Sequence, residues 1–172
     1  MVVLSATASA SAVVRVPVTE EPLPPEFQFA SDSLFPVMRD PARAHWVLER
    51  LTPIIAKFPN HAPFRQIKFW GLANTGAPVG LLTALTDSLI GGVFPTGRRD
   101  PPGWLQRAHH CLELAQVLFA RREALPTAES YLQKAMRYKE STPPSLRTTC
   151  EDLLARIRRA QGKADSTSRV RH

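Results

Sequence analysis

Apolar residues recur at helical spacing through most of this chain, and nowhere do they alternate with polar ones over a strand's length. Asp40 followed by Pro41 predicts a helix start, an N-cap ahead of a proline whose missing N–H costs nothing at the first position. Val47, Leu48, Leu51, Ile54, Ile55 and Phe58 continue it as one stripe. Pro53 should kink or break that helix near Leu51, and Pro59-Asn60 should end it. A second helix is predicted over 63–72 on Phe64, Ile67 and Trp70, followed by a turn over 74–78. A third, over 79–90, carries Val79, Leu82, Leu85 and Leu89 and should stop at Gly91-Gly92 with a glycine in the left-handed conformation.

The segment 95–103 reads as an exposed loop. Three more helices follow. The fourth, 104–122, places Trp104, Ala108, Cys111, Leu112, Ala115, Leu118 and Phe119 on one side, with Arg121 and Arg122 complementing its C-terminal dipole. The fifth, about 127–139, buries Ala128, Leu132, Ala135 and either Tyr131 or Met136. The sixth runs from the Pro143-Pro144 boundary to about Ala160, with Leu146, Cys150, Leu153, Leu154 and Ile157 in register and Asp152 and Arg156 paired on its outer face. The fold class is therefore all-α, a small array of antiparallel hairpins.

Residues 1–36 fall outside this pattern. They are rich in Val, Ala, Ser and Thr and then in acid and proline (Glu20, Glu21, Pro22, Pro24, Pro25, Glu26), so they read as a disordered or targeting arm. The helical domain is placed at 37–161 and a basic disordered tail at 162–172.

Within the fourth and fifth helices, Ala128-x3-Leu132-x2-Ala135, with Phe119 nine residues before Ala128, resembles the tetratricopeptide repeat. The likeness covers about residues 109–160 and departs from the family at Ala115-Gln116, where Leu-Gly is usual, and in a proline displaced to Pro143. It implies close hairpins with small residues at the contact and a groove that binds a protein partner. More loosely, Gly76-Ala77-Pro78 and the run after it, the YLQKAM segment and the final SLRTTCEDLL look like the helical C-terminal domain of the cytoskeleton-associated protein 2 family, which implies a microtubule partner.

Charge narrows the partner. Of 172 residues, 22 are Lys or Arg and 15 Asp or Glu, a net charge of +7. Residues 1–86 hold 7 basic and 6 acidic side chains, whereas 87–172 hold 15 and 9, so the excess lies in the second half. Arg98 and Arg99 sit in the predicted loop, and Arg156, Arg158 and Arg159 on the last helix. Clustered charge of one sign steers an acidic partner, whether protein, nucleic acid or the microtubule surface. The tail lacks aromatics, so base stacking on it is not expected.

Other classes fare worse. Residues 69–97 carry only one charge, Asp87, but that carboxylate would cost about 2.5–3.5 kcal/mol in a bilayer, and a buried hairpin explains the same composition. Two cysteines, Cys111 and Cys150, exclude a disulfide-dense scaffold and a cysteine zinc module. His109 and His110 are neighbours and cannot chelate one metal from one helix face; His109 is expected to flank the core and His110 to face solvent. No phosphate-binding loop or nucleophile elbow occurs, so no enzyme activity, cofactor or metal is implied. The resulting expectation is a non-catalytic adaptor, cytoplasmic or nuclear, or else organelle-targeted through the arm. It would bind an acidic protein through a groove between helix pairs, with Trp70, Tyr138, Arg98, Arg99, Arg156, Arg158 and Arg159 as contact residues and Trp104 and Phe119 as core. A nucleic-acid-binding regulatory or viral accessory factor and a microtubule-associated module are the rivals.

Overall fold

A computed structural model describes residues 24–92, 103–138 and 143–162, so Arg98, Arg99, the first 23 residues of the arm and the tail from 163 lie outside the described residues. Its α-helices are α1 (Pro25–Phe29), α2 (Ala44–Lys57), α3 (Ala62–Asn74), α4 (Val79–Gly91), α5 (Gly103–Arg121), α6 (Leu125–Arg137) and α7 (Pro144–Ala160), and no strand occurs among the described residues. Each helix from α2 onward packs against the next, and α7 also reaches back to α5. The class is all-α, as the apolar spacing predicts.

Two apolar clusters organise the chain. The larger is built from α3 to α7 and contains both alanines of the repeat-like motif, Ala128 and Ala135, together with Ala115, each 0–1% exposed. The smaller joins Val47, Leu51 and Ile54 of α2 and Phe64 and Ile67 of α3 to Ala30, Leu34 and Met38. Helical structure therefore begins at Pro25, inside the stretch assigned to the arm. Prolines hid the reason: Phe27, Ala30, Leu34 and Met38 recur every three or four residues, and Pro25 occupies the first helical turn, where it is tolerated. A π-helical turn over Ala30–Leu34 and a 3-10 turn over Phe35–Val37 carry this stripe onto α2.

Asp40 caps as expected, its Oδ1 accepting from the Ala42 N–H at 2.9 Å, although the first turn, Pro41–Arg43, is 3-10 rather than α. Helix α2 is not broken at Pro53 but runs through it to Lys57. Pro53 and Glu49 are both exposed, so the carbonyl that lacks a donor can be hydrated, while Val47, Leu51 and Ile54 hold the buried side in place.

Helix α3 ends in a Schellman turn: Ala77 N–H donates to the Leu72 carbonyl at 3.0 Å and Gly76 N–H to Ala73 at 3.3 Å, with Gly76 at φ +77°. Helix α4 ends differently from expectation. Gly91 stays helical and Gly92 is extended at φ −72°, so neither glycine is left-handed. After α5 the left-handed residue is instead Arg122, at φ 54°, in a second Schellman turn closed by Glu123 N–H on Leu118 at 3.0 Å. Ala124, at φ 44°, leads into α6.

Helix α5 is the centre of the array, with buried residues on almost every side between Ala108 and Leu118. That encirclement reverses the expected histidine placement: His110 is buried and His109 exposed. Tyr131 and Met136 both half-bury against the large cluster. Tyr131 donates its hydroxyl to Asp87 at 2.8 Å, which joins α6 to α4. In α7 all five expected positions are buried. Arg156 does not pair with Asp152 but lies over the Phe119 ring, 4.8 Å from its centroid, because the α7 face that carries it overhangs α5.

A groove along helix α5 as candidate functional site

His109, Glu113, Gln116 and Ala120 are spaced four, three and four residues apart, which aligns them on one stripe of α5. Three cavities open along this stripe. The first, about 470 Å³, lies between His109, His110 and Glu113 of α5 and Pro63 and Gln66 of α3, with Phe35 and Arg39 at its edge. The second, about 330 Å³, is bounded by Trp70 and Asn74 of α3 and by Gln116 and Ala120 of α5. The third, about 390 Å³, lies between Gln116 and Phe119 of α5 and Thr149, Asp152 and Arg156 of α7. Glu113 and Gln116 are neighbours on the stripe, and Gln116 borders both the second and third cavities. Together the three cavities make a segmented groove along α5, walled by α3 and α7; the second and third share Gln116, and the first shares no lining residue with either.

Glu113 is the chemical centre of the groove. On a helix buried nearly all round, its carboxylate must be paired, since an isolated buried charge is prohibitively costly. It accepts from Arg39 Nη2 at 2.7 Å, from Trp70 Nε1 at 3.2 Å, and from Gln66 Nε2 at 3.3 Å on both oxygens; His110 Nδ1 lies 3.3 Å from Oε2. Burial works to raise its pKa, but the hydrogen bond and charge of His110, then Arg39 and Trp70, outweigh burial and hold it below the ordinary carboxylate value. The groove thus contains a fixed anion with its own counter-cation. No group of three or more metal-ligating side chains occurs among the described residues.

Farther along, Arg121 donates to the carbonyls of Ala77, at 2.7 Å, and Ala73, so it serves the end of α3 rather than the dipole of its own helix. At the α7 wall, Arg156 is exposed over Phe119, and Arg159, three residues on, is also exposed. Helix α6 is linked to its neighbours by ion pairs. Lys134 approaches Asp87 at 3.5 Å and Arg158 bonds Glu129 at 3.0 Å, tying α6 to α4 and α7.

Among the expected contact residues, the structure brings Trp70 and Arg156 to the two walls of one groove. Arg158 is turned toward α6 through Glu129, and Arg159 is exposed, its Nε near the Ala155 carbonyl of its own helix at 3.4 Å. Tyr138 half-buries against the large cluster beside Cys111; burial raises its pKa, and burial likewise pushes the Cys111 thiol up to about 12. It lines none of the three groove cavities. Phe119 and Trp104, expected in the core, are half-buried.

Sequence reasoning passed over Arg39, Gln66, Glu113 and Gln116. The available signal was Glu113 itself, a carboxylate between Leu112 and Leu114 in an apolar run. No described helix is long and apolar enough to cross a membrane. No protein-family model, no curated protein and no solved structure matches this chain.

Proposed function

We propose that this protein is a non-catalytic helical interaction module that takes an acidic segment of a protein partner into the groove along α5. The observation that carries this reading is the pair of cavities that meet at exposed Gln116 and run along α5 to the exposed Arg156 on the α7 wall. Arrays of helical hairpins characteristically bind extended partners along such surfaces. The exposed Arg156 and Arg159 on the α7 wall favour an acidic occupant, because neighbouring like charges raise the rate and the salt sensitivity of encounter.

The tetratricopeptide resemblance supports the same reading. Ala115, Ala128 and Ala135 are buried in one cluster where α5 meets α6, the place such small residues take in a close hairpin. Phe119 adds an aromatic surface beneath Arg156 at which a partner side chain can be held.

A photo-crosslinking residue placed at Gln116, with a second at exposed Arg137 as the control, tests the proposal. Acidic protein segments should be captured from Gln116 and not from Arg137, and Arg156→Ala with Arg159→Ala should weaken capture most at low salt. Equal capture at both positions, or capture indifferent to the arginines and to salt, would sink it. Retention of RNA or DNA at low salt by the same arginines, with no protein captured at Gln116, would favour the nucleic-acid reading; co-sedimentation with tubulin polymer examines the microtubule one.

A further inference from the structure

Arg39 sits between two 3-10 turns, Phe35–Val37 and Pro41–Arg43, outside any α-helix. Its side chain is 61% exposed, yet its guanidinium rests on a carboxylate whose side chain is only 8% exposed. Two surfaces receive it. Glu113 Oε1 accepts from Nη2 at 2.7 Å, and the Trp70 ring centroid lies 4.6 Å from Cζ. Trp70 is in turn oriented by donating its Nε1–H to that same Oε1 at 3.2 Å, and Gln66 contacts both carboxylate oxygens. The receiving groups thus come from α3 and α5, whereas the cation comes from an irregular connection on the surface.

We propose that Glu113, Trp70 and Gln66 form a recognition box for an alkylguanidinium, filled in cis by Arg39 and in trans by an arginine side chain of a partner. The chemistry favours guanidinium over ammonium. A planar, weakly hydrated cation can stack on an indole while its fork of N–H donors meets a carboxylate, whereas an ammonium must surrender a tighter hydration shell to do so. Access comes from the cavity of about 470 Å³ that opens beside Arg39, Gln66 and Glu113. Exchange rather than simple opening is required, because withdrawing Arg39 alone would leave the buried carboxylate without its closest donor. An incoming arginine restores what it displaces. This site is distinct from the exposed arginines of the α7 wall, whose ligands carry the opposite charge.

The test titrates methylguanidinium, with methylammonium as the control, into the full chain and its Arg39→Ala variant, following the Trp70 indole N–H in NMR spectra assigned by Trp70→Phe. Arg39→Ala should bind methylguanidinium about tenfold more tightly than the wild type, where Arg39 competes, and gain thermal stability on binding. Methylammonium should bind about tenfold more weakly, and Arg39→Ala with Glu113→Gln should not bind. Acetyl-arginine-amide should reproduce the methylguanidinium shift, as an arginine presented in trans would. If Arg39→Ala does not fold by itself, millimolar methylguanidinium should restore its folded spectrum. Equal affinity in wild type and Arg39→Ala, indifference to the cation's shape, binding that survives loss of Glu113, or an unfolded Arg39→Ala that methylguanidinium does not rescue would each overturn the proposal.

Discussion

The Arg121 guanidinium donates to the Ala77 carbonyl at 2.7 Å and also reaches the Ala73 carbonyl, so the last turn of α5 closes the end of α3 across 44 residues of chain. The Arg121 side chain is only 17% exposed, which gives these bonds more weight than surface contacts have. Arg121→Ala should cost about 1–3 kcal/mol in urea unfolding, with Arg121→Lys recovering part of the loss, because the Ala77 and Ala73 carbonyls would otherwise lose their guanidinium donor. Equal stability of the alanine and wild-type chains would show that water replaces the arginine.

Glu113 links stability to pH. Burial acts to raise its pKa, but His110, Arg39 and Trp70 more than offset that, so the folded value lies below the unfolded one. A carboxylate of this kind contributes stability above its unfolded pKa, about 4.3, and loses that contribution as pH falls through the folded value. Glu113→Gln should therefore be less stable than wild type by about 1–3 kcal/mol at neutral pH. The gap should hold down to about pH 5 and close below it. Denaturant curves over that range would refute this if the gap widened on acidification.

Two glycines separate packing from propensity. A Cβ on Gly71 would meet Leu48 Cγ and Cδ2 at 2.8 Å, where α3 packs against α2, whereas one on Gly80 would meet nothing within 4 Å. Gly80→Ala should stabilise by about 0.4–1 kcal/mol. Gly71→Val should destabilise by about 1–3 kcal/mol, since Leu48 must yield to it. Thermal melts of the two variants should move in opposite directions.

Arg122 occupies the left-handed position after α5 at φ 54°, a conformation that costs a non-glycine residue about 1 kcal/mol. Arg122→Gly should raise stability by up to about 1 kcal/mol, despite the removal of a charge, and calorimetry should show a higher melting temperature. Ala at the same position should give no such gain.

Much of the fold could be read from spacing alone. The stripe of α7 is buried where periodicity placed it, that of α2 is buried at Val47, Leu51 and Ile54 and half-buried at Leu48, Ile55 and Phe58, and Asp40 caps the turn that its pairing with Pro41 predicted. What escaped was information that only tertiary neighbours supply. His109 and His110 differ by one position on α5, and which of them faces solvent depends on how the surrounding helices enclose it. Pro53 carries a strong local signal for a break, yet the buried contacts of Leu51 and Ile54 on either side override it. Prolines near Pro25 masked an apolar stripe that only α2 and α3 complete. The groove was legible at its walls, through Trp70 and Arg156, but not along its floor, because Glu113 acquires its meaning from Arg39, which is 74 residues away.

Trp70 packs against both apolar clusters, with its ring at the border between them and at 5.6 Å and 84° to Phe69. Melting either cluster must strip contacts from the same indole, so the loss of one core weakens the other. The chain should accordingly unfold in a single transition, whether followed by helical circular dichroism or by tryptophan fluorescence.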